Sequence, residues 1–283
     1  MNEIETLATK QTLPCGLTLP NRLVKAAMEP CLAEKGEPTE KHFKLHSEWS
    51  RGGFGLIITE NVQVDQRYLG TPHDIIIPKN HHTQEQIPKS WKTWSNSSSN
   101  IPTLIQLCHT GLQSCRSLGR KFWEPSISPI SMRLSLGNSL LDKLFSILLF
   151  NYSKMMNKED IKLVINQFRD GALLAYRSGF QGVQLHCSHG YLLAQFMSPR
   201  TNQRTDEYGN SPYNRLRILF EIIDSIRESV PTDFCLAIKL NSADFVDGGL
   251  SEDDALKNVE WIVEHGGVDL IEISGGTYEN CGK

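Results

Sequence analysis

Six short apolar runs, each followed by a segment with helical periodicity or by a polar loop, place the strongest constraint on the fold of this chain. The runs cover residues 22–28, 55–59, 102–107, 183–186, 234–240 and 268–273. Continuous apolar strands that alternate with helices are typical of a parallel sheet with helices on its faces. The pattern predicts an α/β fold and leaves two architectures open, a barrel and a doubly wound sheet.

Capping signals place helices between these runs. Asn157 with Asp160 and Ser251 with Asp254 have the residue types and the spacing of an N-cap and its N3 partner. They predict helices that continue to about residue 178 and to the glycine pair 266–267. Further helical segments are expected over residues 39–51, 84–94 and 213–229.

The composition is typical of a globular protein with a small or neutral ligand. Of 283 residues, 39% are hydrophobic and 22% are charged, and the formal net charge is −3. This near balance gives no electrostatic reason to expect nucleic acid or an anionic membrane as a partner. The seven cysteines include no CxxC pair, so neither a disulfide framework nor a zinc site is indicated. Because the first ten residues also lack an apolar signal-peptide core, we expect a cytoplasmic protein.

One segment, residues 134–150, is apolar enough to need a separate explanation. Asp142 and Lys143 interrupt it, and the unbroken part, residues 144–150, is far shorter than the roughly 20 residues that span a bilayer. An amphipathic lid or packing helix is the favoured interpretation. Interfacial contact with a membrane or a partner stays open as the alternative.

The stretch 179–215 carries the strongest indication of chemistry. It begins as an apolar run, then presents His186, His189 and Tyr191, and ends as a polar loop. Parallel α/β folds place their functional side chains where strands end and loops begin. No GxGxxG or GxxxxGK[ST] motif follows any strand, which argues against dinucleotide-binding and P-loop folds. An isolated HxxH pair has two further explanations, structural histidines or a zinc site that would need a third ligand.

Five sequence segments, taken together, indicate a protein family. In chain order they are LPNRLVKAAM, GFGLIITENVQVD, LIQLCHTG, HCSHGYLLAQFMSPRTNQRTDEYG and GGVDLIEISGGTYEN. In this order they resemble the old yellow enzyme family of FMN-dependent ene-reductases, over about residues 13–280. The resemblance implies a single (β/α)8 TIM-barrel domain over residues 1–283, with about six of eight βα units present. It also implies a lid-like insertion over residues 123–157, between strands three and four.

The resemblance further implies FMN as cofactor, NADH or NADPH as reductant and an activated alkene as substrate. Ala27 and Met28 match positions whose backbone meets the flavin ring, and Glu29 stands where relatives usually have Thr or Cys. Asn61 and Gln106 match amides beside the ring, and Lys239 matches a cation near its N1 and O2 atoms. An amide suits the pyrimidine edge because it both donates and accepts hydrogen bonds.

By the same resemblance, His186 and His189 match two donors that hold a substrate carbonyl oxygen, and His186 also lies by the cofactor. Tyr191 matches the acid that protonates the alkene carbon after hydride transfer from flavin N5. Two N–H donors stabilise the enolate oxygen that develops in this step. A phenol keeps its proton until the carbanion forms because its unperturbed pKa is about 10.

The most important departure from the family is the absence of counterparts for strands seven and eight, which hold the FMN phosphate in the family. This predicts an alternative, a catalytically inactive truncated or split-barrel fragment without the phosphate site. Strands one and six would then form open edges, which favours self-association or pairing with a fragment that completes the barrel. Structural roles are expected for other polar residues: His42 and His46 as surface or helix residues, and Arg204 with Asp206 as braces of the loop after strand four.

Overall fold

The computed structural model describes residues 3–79, 87–98, 101–121, 123–136 and 139–279. The strands are β1 (Gln11–Thr12), β2 (Thr18–Leu19), β3 (Val24–Lys25), β4 (Leu56–Gln63), β5 (Ile75–Ile76), β6 (Thr103–Cys108), β7 (Ile127–Ser128), β8 (Lys154–Met155), β9 (Gly182–Cys187), β10 (Cys235–Asn241) and β11 (Leu270–Ser274). The helices are α1 (Glu3–Leu7), α2 (Glu40–Arg51), α3 (Lys89–Ser97), α4 (Leu140–Leu149), α5 (Lys158–Ser178), α6 (Leu192–Met197), α7 (Arg217–Arg227) and α8 (Glu252–His265).

One parallel sheet organises the molecule, and its strands lie in the order β11-β10-β9-β6-β4-β3. Each of the six predicted runs coincides with one of these strands, which confirms the α/β prediction. The spatial order follows the chain order without the reversal that defines a doubly wound sheet. The sheet is therefore a partial (β/α)8 barrel, as the resemblance implied. Short β5 pairs with the end of β4.

Apolar side chains fill both faces of the sheet. On the inner face, Leu56, Ile58, Leu104 and Ala237 form a cluster with residues of the β1–β2 hairpin. On the outer face, a larger core contains the helix residues Trp91, Trp94, Phe168, Ile223 and Ile262. Burial on both faces explains why the strands are continuous apolar runs and do not alternate with polar residues.

The predicted caps set the start of α5, the helix that leads into β9. Asn157 Oδ1 accepts a hydrogen bond from the Asp160 N–H at 2.7 Å, and Asp160 Oδ2 accepts one from the Asn157 N–H at 3.0 Å. The helix ends at Gly179, which has a φ of 98°. The predicted Ser251–Asp254 cap is likewise present at α8. Both helices thus begin where the sequence predicts.

Two helices differ from their sequence-based bounds. The segment 213–229 begins with a 3-10 turn at Asn214–Leu216 before α7. In the segment 84–94, residues 84–86 lie outside the described residues, and α3 begins only after Pro88, whose ring fixes φ and whose nitrogen cannot donate.

The region between β6 and α5 contains β7, β8 and the outlying helix α4. Of the two roles expected for α4, lid or packing helix, packing is not observed, because Ser146 is the buried residue of this helix and its apolar side chains are exposed. The lid role stays a prediction. No helix among the described residues has the length and apolar character needed to cross a membrane.

Candidate active site

His186, His189 and Tyr191 meet at the carboxyl end of β9. The His186 ring centroid lies 5.0 Å from that of His189 and 4.7 Å from that of Tyr191. A tight turn brings them together, since His189 and Gly190 both have a positive φ, 59° and 72°. Tyr191 then caps α6, and its carbonyl accepts a hydrogen bond from the Gln195 N–H at 2.8 Å. The structure therefore groups the three residues that the sequence proposes for catalysis.

His186 is buried as a neutral imidazole. Burial lowers its pKa well below the usual value, and the nearby His189 and Lys239 lower it further. Its Nδ1 accepts hydrogen bonds from the Ser188 backbone N–H at 3.4 Å and lies 3.2 Å from the Ser188 hydroxyl. Because an amide N–H can only donate, the ring proton belongs on Nε2. His186 consequently offers one N–H donor.

His189 is held by groups from three parts of the chain. Its backbone N–H donates to Asn241 Oδ1 at 3.0 Å, and its carbonyl accepts from Gln113 Nε2 at 2.7 Å. Its Nε2 lies 2.6 Å from Ser274 Oγ. Burial, together with the charge of Lys239, lowers the pKa of His189 to about 4. The imidazole is thus neutral at pH 7 and fixed in orientation.

Tyr191 is a buried phenol, and within the part of the chain that the structure describes its hydroxyl has one hydrogen-bond partner. Its hydroxyl lies 3.0 Å from the hydroxyl of Tyr278, which is 40% exposed. Burial is the main cause that raises the pKa of Tyr191 well above its usual value. The hydroxyl therefore carries its proton at neutral pH and contacts a second phenol that reaches the surface.

A chain of polar side chains crosses the inner face of the sheet below the histidines. Gln106 Nε2 donates to Gln184 Oε1 at 2.6 Å, and Gln184 Nε2 donates to Glu272 Oε2 at 2.8 Å. The other carboxylate oxygen of Glu272 lies 3.0 Å from Lys239 Nζ. Two predicted cofactor residues, Gln106 and Lys239, are thus joined through two residues that the prediction did not include.

The predicted residues Ala27, Met28 and Glu29 follow β3, and Asn61 lies in the neighbouring strand β4. Ala27 packs against the inner cluster, while Met28 is 60% exposed. Asn61 lies in register with Gln106, and its Oδ1 is buried without a hydrogen-bond partner among the described residues. Glu29 Oε2 is also buried without a hydrogen-bond partner among the described residues. Burial, with help from the charges of Asp74 and Glu60, raises the pKa of Glu29 to about 8.

Of the two expectations for His42 and His46, surface or helix residues, the helix position in α2 is confirmed and the surface position is wrong, because both side chains are buried. His42 Nε2 lies 3.0 Å from one carboxylate oxygen of Glu60, and His46 Nε2 lies 3.4 Å from the other. Although burial opposes its ionisation, hydrogen bonds from these two histidines lower the pKa of Glu60 to about 2. The cluster fixes α2 to β4.

The bracing role predicted for Arg204 is confirmed. Its guanidinium donates to the carbonyls of Pro129 and Met156, at 2.9 and 2.7 Å, and forms an ion pair with Asp206. These contacts join the loop after α6 to the β7–β8 region. They place Arg204 in support of the site without direct contact with the histidine pair.

Several site residues were missed by the sequence analysis. Gln184 and Glu272 had a usable signal, because a polar residue inside an apolar run on the inner face must find a polar partner. Ser274 and Tyr278 had no usable signal in the sequence, since a single hydroxyl in a loop or at a strand end is common. Asn241 likewise shows its role only through its contact with the turn at His189.

The sequence profile of the NADH:flavin oxidoreductase / NADH oxidase family matches residues 15–279. The NADH-dependent flavin oxidoreductase iliE of Hypocrea jecorina is 40% identical over 273 residues, which cover 95% of this chain and 67% of that protein.

Two solved structures are similar in fold. A 2-naphthoyl-CoA reductase bound to 2-naphthoyl-CoA matches 99% of this chain and 42% of its own, with a TM-score of 0.85 and 23% identity. A morphinone reductase in complex with tetrahydroNAD matches 94% of this chain and 73% of its own, with a TM-score of 0.77 and 22% identity. Identity at this level supports the partial barrel and nothing finer. The profile match and the fungal relative show that the chain belongs to the NADH:flavin oxidoreductase / NADH oxidase family.

Proposed function

We propose that this chain carries the site of an FMN-dependent NAD(P)H oxidoreductase that reduces the C=C bond of α,β-unsaturated carbonyl compounds. The observation that supports this most is the grouping of His186, His189 and Tyr191, two neutral imidazoles and one protonated phenol, at a single strand end. Such a set can hold a carbonyl oxygen and deliver a proton to a nearby carbon. The family supplies the redox chemistry, since its fungal relative is an NADH-dependent flavin oxidoreductase.

The residues at the ends of β3, β4 and β6 suit a flavin ring. Oδ1 of Asn61 and Oε2 of Glu29 are buried without partners, and buried polar atoms usually bond to something. The pyrimidine edge of a flavin presents carbonyl acceptors and an N–H donor to such groups. Asn61 Oδ1 would accept from the N–H, and Glu29, with its pKa raised to about 8, would donate from its protonated form. When bound, FMN supplies the hydride.

In this proposal, the two histidines bind the substrate oxygen. The proton on His186 Nε2 makes this nitrogen a donor, because Nδ1 already accepts from Ser188. If the Ser274 hydroxyl donates to His189 Nε2, the proton of that ring lies on Nδ1, which becomes the second donor. Both imidazoles are neutral at pH 7, so they bind a carbonyl without the cost of burying two cations.

Tyr191 gives the proton to the substrate carbon. Its raised pKa keeps it protonated before the reaction, and the charge that develops on the substrate drives the transfer. Tyr278, whose hydroxyl lies 3.0 Å away and which is partly exposed, connects Tyr191 to solvent for reprotonation.

The first experiment measures the flavin spectrum of the purified 283-residue chain after incubation with FMN. We expect a shifted flavin absorbance band that comigrates with the protein. The bound flavin should then be reduced anaerobically by NADH or NADPH and reoxidised by 2-cyclohexenone. Absence of flavin binding would favour the alternative that the sequence raised, a catalytically inactive protein.

The variant Tyr191→Phe tests whether Tyr191 is the general acid that protonates the substrate carbon. Reoxidation by the enone should slow by about 10²- to 10⁴-fold, the usual contribution of a general acid, while reduction by the nicotinamide keeps its rate. Tyr176→Phe is a matched control, because Tyr176 is a partly exposed residue of α5 on the outer face. An unchanged enone rate in Tyr191→Phe would remove Tyr191 from the mechanism.

A further inference from the structure

Helix α4 presents an apolar face to solvent. Its seven leucine, isoleucine and phenylalanine side chains are between 43% and 84% exposed, whereas Ser146 is buried. Surface helices of globular proteins normally turn such side chains inward. A contiguous exposed apolar patch of this kind marks a surface that contacts something else. The exposed apolar residues of α4 are Leu140, Leu141, Leu144, Phe145, Ile147, Leu148 and Leu149.

The outward orientation of α4 is fixed by hydrogen bonds on its polar side. The buried Ser146 hydroxyl donates to the Asp142 carbonyl at 2.7 Å and accepts from the Leu136 N–H at 2.9 Å. Ser139 caps the helix, with its hydroxyl 3.0 Å from the Asp142 N–H. The following Phe150 is buried with Leu112 and Leu134. Because both ends are anchored, the apolar face is a defined surface of the molecule.

Two exposed aromatic residues lie beyond the C-terminal end of α4: Tyr152 follows the buried Phe150, and Trp123 precedes Glu124, whose carbonyl accepts a hydrogen bond from Asn151 Nδ2 at 3.1 Å. We call α4 with Trp123 and Tyr152 the α4 face. Trp123 is 74% exposed and Tyr152 is 60% exposed. Trp and Tyr are enriched where a protein meets the boundary between lipid headgroups and acyl chains, because they combine an apolar ring with a polar atom.

The charge around the α4 face is opposite to that of the whole chain. Residues 116–155 contain six basic and two acidic side chains; Lys154 is paired with Asp160 at 2.9 Å, so five basic against two acidic side chains leave an excess of +3, although the chain as a whole has −3. The Arg116 backbone N–H donates to the Leu149 carbonyl at 2.8 Å, which places Arg116 at the end of α4. The Arg133 guanidinium lies 4.4 Å from the Tyr152 ring centroid, and Lys143 is exposed on α4 itself. Cations therefore lie at the C-terminal end of the apolar patch and on α4 itself.

We propose that the α4 face binds an anionic lipid surface, with its apolar side chains at the acyl boundary and the nearby Arg and Lys side chains at the headgroups. Two copies of this face would place like charges together, which disfavours a second copy as the occupant. With ten residues, α4 is about half the length of a spanning helix, so it would lie along the interface. This proposal does not depend on the proposed enzymatic function.

The test is flotation of the chain with vesicles of phosphatidylcholine alone or with 30% phosphatidylserine, at 0.1 M salt. We expect at least tenfold stronger partitioning onto the anionic vesicles, and most of this difference should be lost at 0.5 M salt because counterions screen the attraction. Equal binding to both vesicles, or binding to neither, would contradict the proposal.

A pair of double variants identifies the surface responsible. Leu144→Glu with Leu148→Glu introduces charges on the exposed face of α4 and should abolish vesicle binding with no change in circular dichroism. Leu256→Glu with Val263→Glu makes the same change on α8, where each side chain is 65% exposed, and should bind as the unaltered chain does. If the α4 variant instead converts a dimer to a monomer in light scattering without lipid, the face is an interface between copies and the proposal is wrong.

Discussion

Glu29 is the side chain for which the structure predicts the clearest pH dependence. Its pKa of about 8 in the folded chain exceeds the ordinary value of 4.5, so between these pH values the folded state holds a proton that the unfolded state has lost. The free energy of unfolding should therefore fall as pH rises through this window. This is opposite in sign to the effect of a carboxylate stabilised by an ion pair.

The variant Glu29→Gln keeps the shape of the protonated acid and removes its titration. Between pH 6 and pH 8, the unaltered chain should lose about 1 to 2 kcal/mol of unfolding free energy relative to Glu29→Gln, as measured by urea titration. Glu34→Gln, a change at an exposed position in the same region, is the control and should follow the unaltered chain. If the free energy of unfolding changes with pH in the same way for the unaltered chain and for Glu29→Gln, then Glu29 is ionised in the folded state and the prediction is wrong.

The three residues that were predicted from the sequence for catalysis lie in one short motif. Most of the site residues that were missed are distant in sequence and come together only in the folded chain. His186, His189 and Tyr191 lie within six residues, so one motif contains all three. Glu272 reaches Lys239 because β10 and β11 pair in register at these two residues. That register depends on the whole sheet and leaves no local mark in the sequence.

Among the elements, the central strands β4, β6, β9 and β10 were predictable because each is buried on both faces, and helix starts were predictable because capping is local. The bounds of β9 and the caps of α5 and α8 follow directly from these two rules. The orientation of α4 was not predictable. Periodicity shows that a helix has an apolar side, but it does not show whether that side faces the protein or the solvent. In α4 the hydrogen bonds of the buried Ser146 turn the polar side inward, so the apolar side is exposed.

Gly182, the first residue of β9, carries a prediction about this element. A Cβ there would lie 2.2 Å from the Cys235 carbonyl oxygen and 2.7 Å from Leu104 Cδ2, so β9 would have to move away from both neighbouring strands. Gly182→Ala should therefore lower the free energy of unfolding by about 1 to 3 kcal/mol or more. Gly70→Ala is the control, since its Cβ would lie 3.4 Å from Thr110 Cγ2, an ordinary contact. Equal stabilities of the two variants in urea would contradict this packing.

For the molecule as a whole, the resemblance implied the strand order of a barrel, in which consecutive βα units are neighbours, whereas the apolar runs alone left a doubly wound sheet open. The sheet has β3 at one edge and β11 at the other, and among the described residues no strand pairs with their outer sides. Ile273 of β11 is 59% exposed. An exposed edge with an apolar side chain is a template for pairing with another chain.

The 283-residue chain should therefore associate as its concentration rises, and sedimentation velocity measures this directly. Ile273→Lys should weaken the association, because a lysine on an edge strand opposes edge-to-edge pairing. Ile4→Lys is the control, since Ile4 is 79% exposed on α1 and belongs to neither edge strand. The Leu144→Glu with Leu148→Glu variant should associate like the unaltered chain, because α4 is part of neither edge strand. If that variant is monomeric while Ile273→Lys still associates, copies meet through α4, and both the edge prediction and the lipid proposal are wrong.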